Sequence, residues 1–186
     1  MEERDYEESM PVDIRSSVDR FEEMVRKQDA CFFDVITFEH IVNFYEQKEQ
    51  WKKAIHVMDV AISQHPYSPW FLKKKASLLI YFKKYKHALE LIDQAEAMDP
   101  NDVSLYILRS DIYLEKNQHR RSIEILTDAL RISDQSDREE IHLEIADVYE
   151  DWDKYDKVFE SLKEVLMINQ DNEEALSRMW YCVELA

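Results

Sequence analysis

Small and apolar residues recur along this chain at an interval of 34 residues. Three such series run through the middle of the sequence, namely Ala54/Ala88/Ser122, Ala61/Ala95/Ala129 and Pro66/Pro100. Small and large residues also alternate at helical spacing within each interval, as in Ala54, Met58 and Ala61. A period of this length is typical of stacked helical hairpins, in which small residues let two helices approach closely.

The hydrophobic periodicity predicts helices separated by short polar turns. We expect these helices over residues 13–28, 35–48, 51–63, 69–82, 85–97, 103–115, 119–132, 138–151, 155–168 and 172–185. In the first helix, Val18, Phe21 and Met24 have helical spacing, so this helix is expected to cover the first hairpin. Between two later helices, Pro100 ends one helix and an Asx residue after it caps the next.

Aromatic residues keep the same register as the small ones. Tyr45 and Tyr113 lie 68 residues, or two periods, apart, and Leu79 occupies the intermediate position. Together these residues resemble the tetratricopeptide repeat (TPR) family, whose pattern is W-x-x-L-G-x-x-Y, then A-x-x-x-F, then P. The resemblance extends to multi-repeat TPR proteins of bacteria. It implies an all-α fold, a right-handed α-solenoid of antiparallel helical hairpins with four TPR-like repeats and flanking helices.

The tryptophan and the glycine of that pattern are both replaced in this chain. Phe38, Leu72, Tyr106 and His142 stand at the tryptophan position, and Val42, Ala76, Ser110 and Ala146 stand at the glycine position. The first half of each repeat therefore departs from the family pattern, while the second half keeps it.

The register predicts how the chain is organised. The expected segments are an acidic flexible tail (1–11), an N-terminal capping helix with the segment that leads into the first hairpin (12–34), four repeats (35–68, 69–102, 103–136 and 139–172), and a C-terminal helix (173–186) that starts a further repeat. Two extra residues shift the register after the third repeat. They fall in the polar run 133–137, which we interpret as a surface loop.

The composition excludes several classes of enzyme. The chain has no glycine, although average usage would give about 13 in a chain of this length. P-loops and dinucleotide-binding turns need glycine where the backbone approaches a phosphate. The six histidines show no H-x-x-x-H spacing for a metal. We therefore expect a protein that is not an enzyme and has neither a cofactor nor a metal site.

The sequence also bears on location. The first residues lack the basic and apolar regions of a signal peptide, and no apolar run is long enough to span a membrane. Cys31 and Cys182 lie near opposite ends of the predicted stack, so free thiols are favoured over a disulfide. These features predict a cytoplasmic protein.

The net charge of −16 is distributed unevenly along the chain. Residues 1–30 carry 10 acidic and 5 basic side chains, residues 31–136 carry 15 and 14, and residues 137–186 carry 15 and 5. An acidic surface repels phosphate backbones and anionic lipid headgroups, so we expect neither nucleic acid nor a membrane as a partner.

The resemblance implies that the first helix of each hairpin lines a concave groove that binds a peptide or protein segment. The candidates that would face this groove are Glu39, Asn43, Glu46, Trp70, Lys73, Lys74, Ser77, Tyr81, Ile107, Asp111, Leu114, Leu143, Asp147, Glu150 and Asp151. Of these, Asn43, Lys73 and Lys74 would hold a carboxylate or an acidic side chain.

Other candidates have different roles in this hypothesis. Asp111, Asp147 and Glu150 would receive a basic segment of the partner, and Trp70 and Tyr81 would supply aromatic contacts. Two alternatives stay open: the lysines form an ordinary solvated face, and Trp70 packs between repeats. Some TPR domains clamp a chaperone's terminal carboxylate, but Glu39, Ser104 and Leu108 replace the cations of that clamp, so this function is not expected here.

The last predicted helix has an apolar face with Leu176, Met179, Trp180 and Val183. A solenoid needs a polar cap at its end, and Tyr181, Cys182 and Leu185 do not provide one. We expect the chain to be a fragment of a longer repeat protein, or else this end to be an interface between identical chains. The sequence thus predicts a non-catalytic scaffold that binds a protein or peptide, with a self-assembling structural module as the alternative.

Overall fold

A computed structural model of the chain describes the backbone of residues 12–185 and the side chains of residues 14–182. These residues form ten helices and no strand. The helices are α1 (Val12–Lys27), α2 (Val35–Gln47), α3 (Trp51–Gln64), α4 (Pro69–Tyr81), α5 (Tyr85–Glu96), α6 (Val103–Leu114), α7 (His119–Ile132), α8 (Gln135–Asp151), α9 (Tyr155–Ile168) and α10 (Glu173–Leu185). The predicted all-α fold is confirmed. The acidic tail predicted for residues 1–11 lies outside the described residues.

The first helices of the successive repeats begin at Asx caps or at proline. The carboxylate of Asp34 accepts a hydrogen bond from the backbone N–H of Thr37, and Asp102 and Asp134 cap α6 and α8 in the same manner. Asn172 accepts from the backbone N–H of Ala175 at 2.7 Å at the start of α10. Each cap satisfies a helical N–H that has no partner inside the helix. Helix α4 instead begins with Pro69, a residue suited to the first helical position.

Left-handed residues end the first helix of each repeat, although the chain has no glycine to place there. Glu49, Lys83, Asn117 and Asp153 have φ between 54° and 57°. The next residue donates its backbone N–H five positions back, for example from Lys84 to the carbonyl of Leu79 at 2.8 Å. This is the Schellman arrangement. It turns the chain at once into α3, α5, α7 and α9, which begin without a side-chain cap.

The chain divides into two compact units between Leu78 and Leu79. In unit 1, aromatic rings form the centre of the core, where Phe38 meets Phe71 edge-on at 6.0 Å between centroids and Phe21 meets Phe33 at 5.9 Å. The small residues Ala54 and Ala61 are fully buried beside them. Burial of each large apolar side chain contributes roughly 1.5–3 kcal/mol. These rings therefore join α1, the segment before α2, α2 itself and the start of α4.

The segment between α1 and α2 is tied to the end of α3. The Gln64 side chain donates to the carbonyl of Cys31 at 2.8 Å and accepts from the backbone N–H of Phe33 at 3.0 Å. His65 Nε2 lies 2.7 Å from the carbonyl of Phe33. Backbone groups of a segment that has no helical partners are thereby satisfied.

Unit 2 has a core of aliphatic side chains. One cluster joins α6, α7 and α8 through Val103, Ile107, Leu126, Ala129, Ile141, Ile145 and Val148, and a second joins α8, α9 and α10 through Ala146, Val158, Leu162, Val165, Ala175 and Cys182. Ser110 and Ser122 stand at two of the small-residue positions, and their buried hydroxyls hydrogen bond at 2.6 Å. This bond lets two polar residues replace glycine and alanine without an unsatisfied group.

The predicted helices agree with the structure at all but one boundary. Every predicted end lies within one residue of the observed one, and so does every start except that of α8. The prediction placed this start at 138 after a loop over 133–137, but the helix begins at Gln135 because Asp134 caps it. The loop interpretation was therefore wrong for the second half of that run. No helix in the described part of the chain has the length and apolar character needed to cross a membrane.

Candidate functional site

The lysines predicted to anchor a partner lie on α4 in unit 1, and two residues of their run form ion pairs. Lys74 Nζ lies 2.8 Å from Glu46 Oε2 of α2, and the side chains are 35% and 16% exposed. Lys75 forms an ion pair with Asp59 of α3. Lys73 is partly buried. The structure thus brings together two predicted groove residues, Glu46 and Lys74, from neighbouring repeats.

The remaining candidates near these lysines differ in exposure. Asn43 and Ser77 are exposed, while Trp70 is partly buried, packs against the core of unit 1 and meets Phe71 edge-on at 5.1 Å. Tyr81 lies in unit 2 and is 68% exposed. Trp70 therefore has a packing role in this structure, and its role as a partner contact stays a prediction.

A cluster of carboxylates lies on the first helices of unit 2. We call Asp111 of α6 with Glu144 and Asp147 of α8 the carboxylate cluster. Burial and the neighbouring charges of Asp147 and Glu115 raise the pKa of Asp111 to about 6. Burial and then the charges of Asp111 and Asp147 raise the pKa of Glu144 to about 7. Burial also raises the pKa of Asp147. These shifts arise because ionised carboxylates lose hydration and repel one another there.

Arg178 of α10 partly neutralises this region. Its Nη2 lies 2.6 Å from Asp147 Oδ1 and 2.8 Å from Glu150 Oε2, and its Nη1 lies 3.0 Å from Glu174 Oε1. The Arg178 side chain is only 19% exposed. Two of the three carboxylates predicted to receive a basic segment are therefore already paired with a cation of the same chain.

Arg178 and Glu144 were missed by the sequence prediction, although a signal for them exists. Lys74, Leu108, Glu144 and Arg178 occupy one repeat position, at intervals of 34, 36 and 34 residues, where 36 includes the two-residue insertion. Applying the groove position of Lys74 to every repeat would have found both residues.

Two of the predicted groove residues lie elsewhere. Ile107 is only 9% exposed and belongs to the core that joins α6, α7 and α8, so its assignment to the groove was wrong. Asp151 Oδ2 lies 2.7 Å from His119 Nε2 at the start of α7, which places it beside a hairpin turn. The periodic pattern alone does not separate a groove-facing aliphatic residue from a core residue.

Histidine, cysteine and carboxylate side chains decide whether a protein can do metal or thiol chemistry. Within the part of the chain that the structure describes, no three His, Cys, Asp or Glu side chains are grouped so that they could hold a metal ion. Cys31 and Cys182 are free cysteines. Burial raises the pKa of the Cys182 thiol, which disfavours the reactive thiolate.

Several solved structures are similar to this chain. A thermophilic TPR protein of Thermus thermophilus matches with a TM-score of 0.69 at 14% identity, covering 91% of this chain and 90% of that chain. A tetratricopeptide repeat protein of Parabacteroides merdae matches with a TM-score of 0.70 at 15% identity over 91% and 66% of the two chains. PilF of Pseudomonas aeruginosa matches with a TM-score of 0.65 at 16% identity over 80% and 67%. No curated protein sequence matches this chain.

These likenesses and the helix pattern define the class of protein: a TPR-like helical repeat solenoid, as the sequence predicted. A family model is more specific, because it matches residues 11–175, which is most of the chain. The chain belongs to the ChAPs family, the Chs5p-Arf1p-binding proteins.

Proposed function

We propose that this chain is a non-catalytic scaffold of the cytoplasm that binds protein partners through the first helices of its repeats. Family membership over residues 11–175 carries the proposal, because the family is named for binding two proteins, Chs5p and Arf1p. We therefore assign partners of these two types to this chain. The helical repeat fold also supports a role in protein binding. Such a fold provides an extended surface, and the side chains on that surface determine which partner binds.

The charges on the first helices suggest how a partner segment is oriented. In unit 1, Asn43, Lys73 and Lys74 offer donors to an acidic group, and Trp70 offers apolar contact beside them. The Glu46 side chain is only 16% exposed and the Lys74 side chain is 35% exposed, so a partner carboxylate would share Lys74 with Glu46 rather than replace it. Ser77 lies on α4 with the lysines, and Tyr81 at the end of that helix, in unit 2, is the second aromatic contact of the proposal.

In unit 2, Asp111, Asp147 and Glu150 offer the opposite sign to a basic segment. Arg178 limits the charge available from Asp147 and Glu150, so the strength of this arm depends on how α10 holds that arginine. Complementary charge would mainly set the orientation and the association rate of the partner. The net charge of −16 keeps nucleic acids and anionic membranes outside this proposal.

The test is direct binding of purified Chs5p and Arf1p counterparts from the same organism to the immobilised full chain. We compare the parent with Lys73→Glu/Lys74→Glu and with a matched control, Lys52→Glu/Lys163→Glu, which changes the net charge equally at exposed positions of α3 and α9. The groove variant is expected to bind at least one partner about tenfold more weakly, and the control to bind as the parent does. If the parent chain binds neither protein, the proposed partners are rejected. If the groove variant and the control bind equally well, the role of Lys73 and Lys74 as the anchor is rejected.

Self-assembly is a second candidate function, favoured by exposed apolar side chains on α10. Trp180 is 73% exposed, and Leu176 and Tyr181 are exposed beside it. Two copies meeting there would bring their most acidic segments together, which opposes association. The molar mass in solution, measured over a range of protein concentrations, distinguishes the two functions. A mass equal to that of one chain at every concentration rejects self-assembly. A mass that rises to that of two chains, and that stays at one chain in Trp180→Ala, supports self-assembly.

A further inference from the structure

Unit 2 is strongly acidic, yet its cations concentrate at the turns between the helices of its repeats. Residues 79–186 contain 25 acidic and 13 basic side chains. Seven of these thirteen cations are exposed at three turns, namely Lys83, Lys84, Lys86, Lys116, Arg120, Arg121 and Lys154. The same turns carry three carboxylates, those of Glu115, Asp151 and Asp153. Here, therefore, the local charge has the opposite sign to that of the unit.

Side-chain contacts join these turns into one surface. Between the first and second turns, Lys83 Nζ lies 3.4 Å from Glu115 Oε2, and the Tyr85 hydroxyl donates to the same carboxylate at 3.1 Å. Lys116 Nζ lies over the Tyr85 ring at 5.3 Å. We call residues 83–86, 115–121 and 151–154 the turn edge.

The second and third turns are joined by His119. Its ring stacks on Trp152 at 5.3 Å between centroids with an interplanar angle of 10°, and its Nε2 contacts Asp151. Contacts between successive turns thus run along the whole turn edge. Its cations form one strip, with six of the seven at the first two turns and Lys154 beside Asp151 and Asp153 at the third.

Aromatic rings hold some of these cations in place and leave others available. Arg121 lies over the Tyr113 ring at 4.7 Å and Lys154 over the Trp152 ring at 5.9 Å. Lys84 and Arg120 are exposed and form no ion pair with any described residue. Cations over rings keep their charge while losing freedom, which prepares the strip for an anion.

We propose that the turn edge binds a short acidic segment of a partner protein, at a surface separate from the first-helix surface of the proposed function. Charge complementarity selects an anion, and the surrounding acidic surface selects a short one. At physiological salt an interaction between exposed charges fades over about 8 Å. A peptide that lies along the strip avoids the acidic remainder of unit 2, whereas a membrane or a duplex would face it.

The ring contacts also disfavour single-stranded nucleic acid. Base stacking needs an open aromatic face, but Lys116 lies over Tyr85, Arg121 over Tyr113, and both His119 and Lys154 over Trp152. The remaining recognition is by cationic side chains, which suit the carboxylates of an extended acidic peptide.

The test measures binding of a short fluorescein-labelled peptide of alternating glutamate and serine to the full chain by fluorescence anisotropy at low salt. The turn-edge variant is Lys84→Glu/Arg120→Glu, and the matched control is Arg131→Glu/Lys163→Glu, with the same charge change at exposed positions of α7 and α9. We expect the turn-edge variant to lose about tenfold in affinity and the control to lose less than about twofold. A third variant, Lys73→Glu/Lys74→Glu, separates any peptide binding at the lysines of the proposed function. Adding Lys84→Glu/Arg120→Glu to that variant is expected to cause the same loss of about tenfold, because the turn edge acts independently.

Every other outcome overturns the proposal in a distinct way. Equal loss in the turn-edge variant and the control would mean that net charge alone governs binding. Loss only in Lys73→Glu/Lys74→Glu would move the anion site to the first-helix surface. In another outcome, the parent chain fails to bind the peptide but binds phosphatidylserine vesicles or a single-stranded oligonucleotide. If the turn-edge variant then loses that binding, the vesicle or the oligonucleotide replaces the acidic peptide as the ligand of the turn edge. Absence of all binding to the parent would remove the site.

Discussion

The carboxylate cluster and the turn edge belong to the same unit, and they treat charge in opposite ways. In the carboxylate cluster, like charges are partly buried, their pKa values rise, and Arg178 pairs with three acidic residues of α8 and α10. In the turn edge, cations are exposed and lie over aromatic rings. The first arrangement couples charge to folding, and the second leaves charge available for a partner. A net charge for the whole chain conceals this separation.

Repeat register explains why the two regions keep their signs apart. Asp111 and Asp147 share one repeat position, and Lys84, Gln118 and Lys154 share another. Equivalent positions of successive repeats lie on the same side of the repeat array. A preference for one sign of charge at such a position therefore gives that side a charge of that sign.

Reversing the charge of Arg178 should have the largest effect on stability. We expect Arg178→Glu to lower the free energy of unfolding by about 2–3 kcal/mol. The change places an unpaired negative charge at a side-chain position that is only 19% exposed, beside three half-exposed carboxylates that lose their cation. Urea denaturation of the full chain measures the loss. The control Lys163→Glu makes the same charge change at an exposed site and should cost less than about 0.5 kcal/mol. Similar losses in both variants would show that the pairing of Arg178 contributes nothing specific.

The carboxylate cluster should also make stability depend on pH. Asp111 and Glu144 have folded-state pKa values of about 6 and about 7, above their usual 3.8 and 4.5. The folded protein therefore binds protons that the unfolded chain releases in this interval, so the free energy of unfolding falls as pH rises from about 5 to about 8.

The variant Glu144→Gln isolates this effect. After a discount for partial exposure, we expect its pH dependence over that interval to be smaller than the parent's by about 1–2 kcal/mol. Urea denaturation at several pH values gives the difference between the two proteins, in which other titrating groups cancel. Parallel pH curves for parent and variant would contradict the raised pKa of Glu144.

Glycine at the turns should stabilise the protein by a smaller amount. Lys83 and Asn117 both have positive φ, a conformation that costs a lysine more than an asparagine. We expect Lys83→Gly to raise the free energy of unfolding by about 0.5–1 kcal/mol and Asn117→Gly to raise it by less. The exposed ion pair that Lys83 loses contributes little. A larger gain at Asn117 than at Lys83, measured by thermal denaturation, would disprove this explanation.

Removing the two available cations of the turn edge should have the smallest effect on folding. Lys84→Ala/Arg120→Ala is expected to change the free energy of unfolding by less than about 0.5 kcal/mol, because both side chains are exposed. Urea denaturation beside the Arg178→Glu variant measures the contrast directly. A loss as large as that of Arg178→Glu would mean that the turn edge serves folding and would erase the difference between the regions.

The helix boundaries and the repeat period were largely predictable from the sequence. Ala54 and Ala88 set the repeat register correctly, and the predicted helix ends lie within one residue of the observed ones. The start of α8 was missed because the polar run was interpreted as a loop, whereas Asp134 in that run is an Asx cap. Local signals were sufficient for the helices, provided that each capping residue was recognised.

The candidate site was predicted less completely. Lys74, Asp111 and Asp147 are predicted from their repeat positions; the side chains of Lys74 and Asp111 are partly buried and that of Asp147 is exposed. Glu144 and Arg178 were accessible to the same reasoning and were overlooked. The continuous groove, the four-repeat division and the partner-binding roles stay predictions.

The sequence by itself determined the helices, their caps and the repeat period, because hydrogen bonds between near neighbours and hydrophobic periodicity depend on residues a few positions apart. Only the tertiary structure decided that Arg178 meets Asp147 and Glu150, that Ile107 enters the core, and that three turns of unit 2 join into one edge. These outcomes depend on distances between helices and on the water removed between them. Coulomb energy and desolvation vary steeply with both.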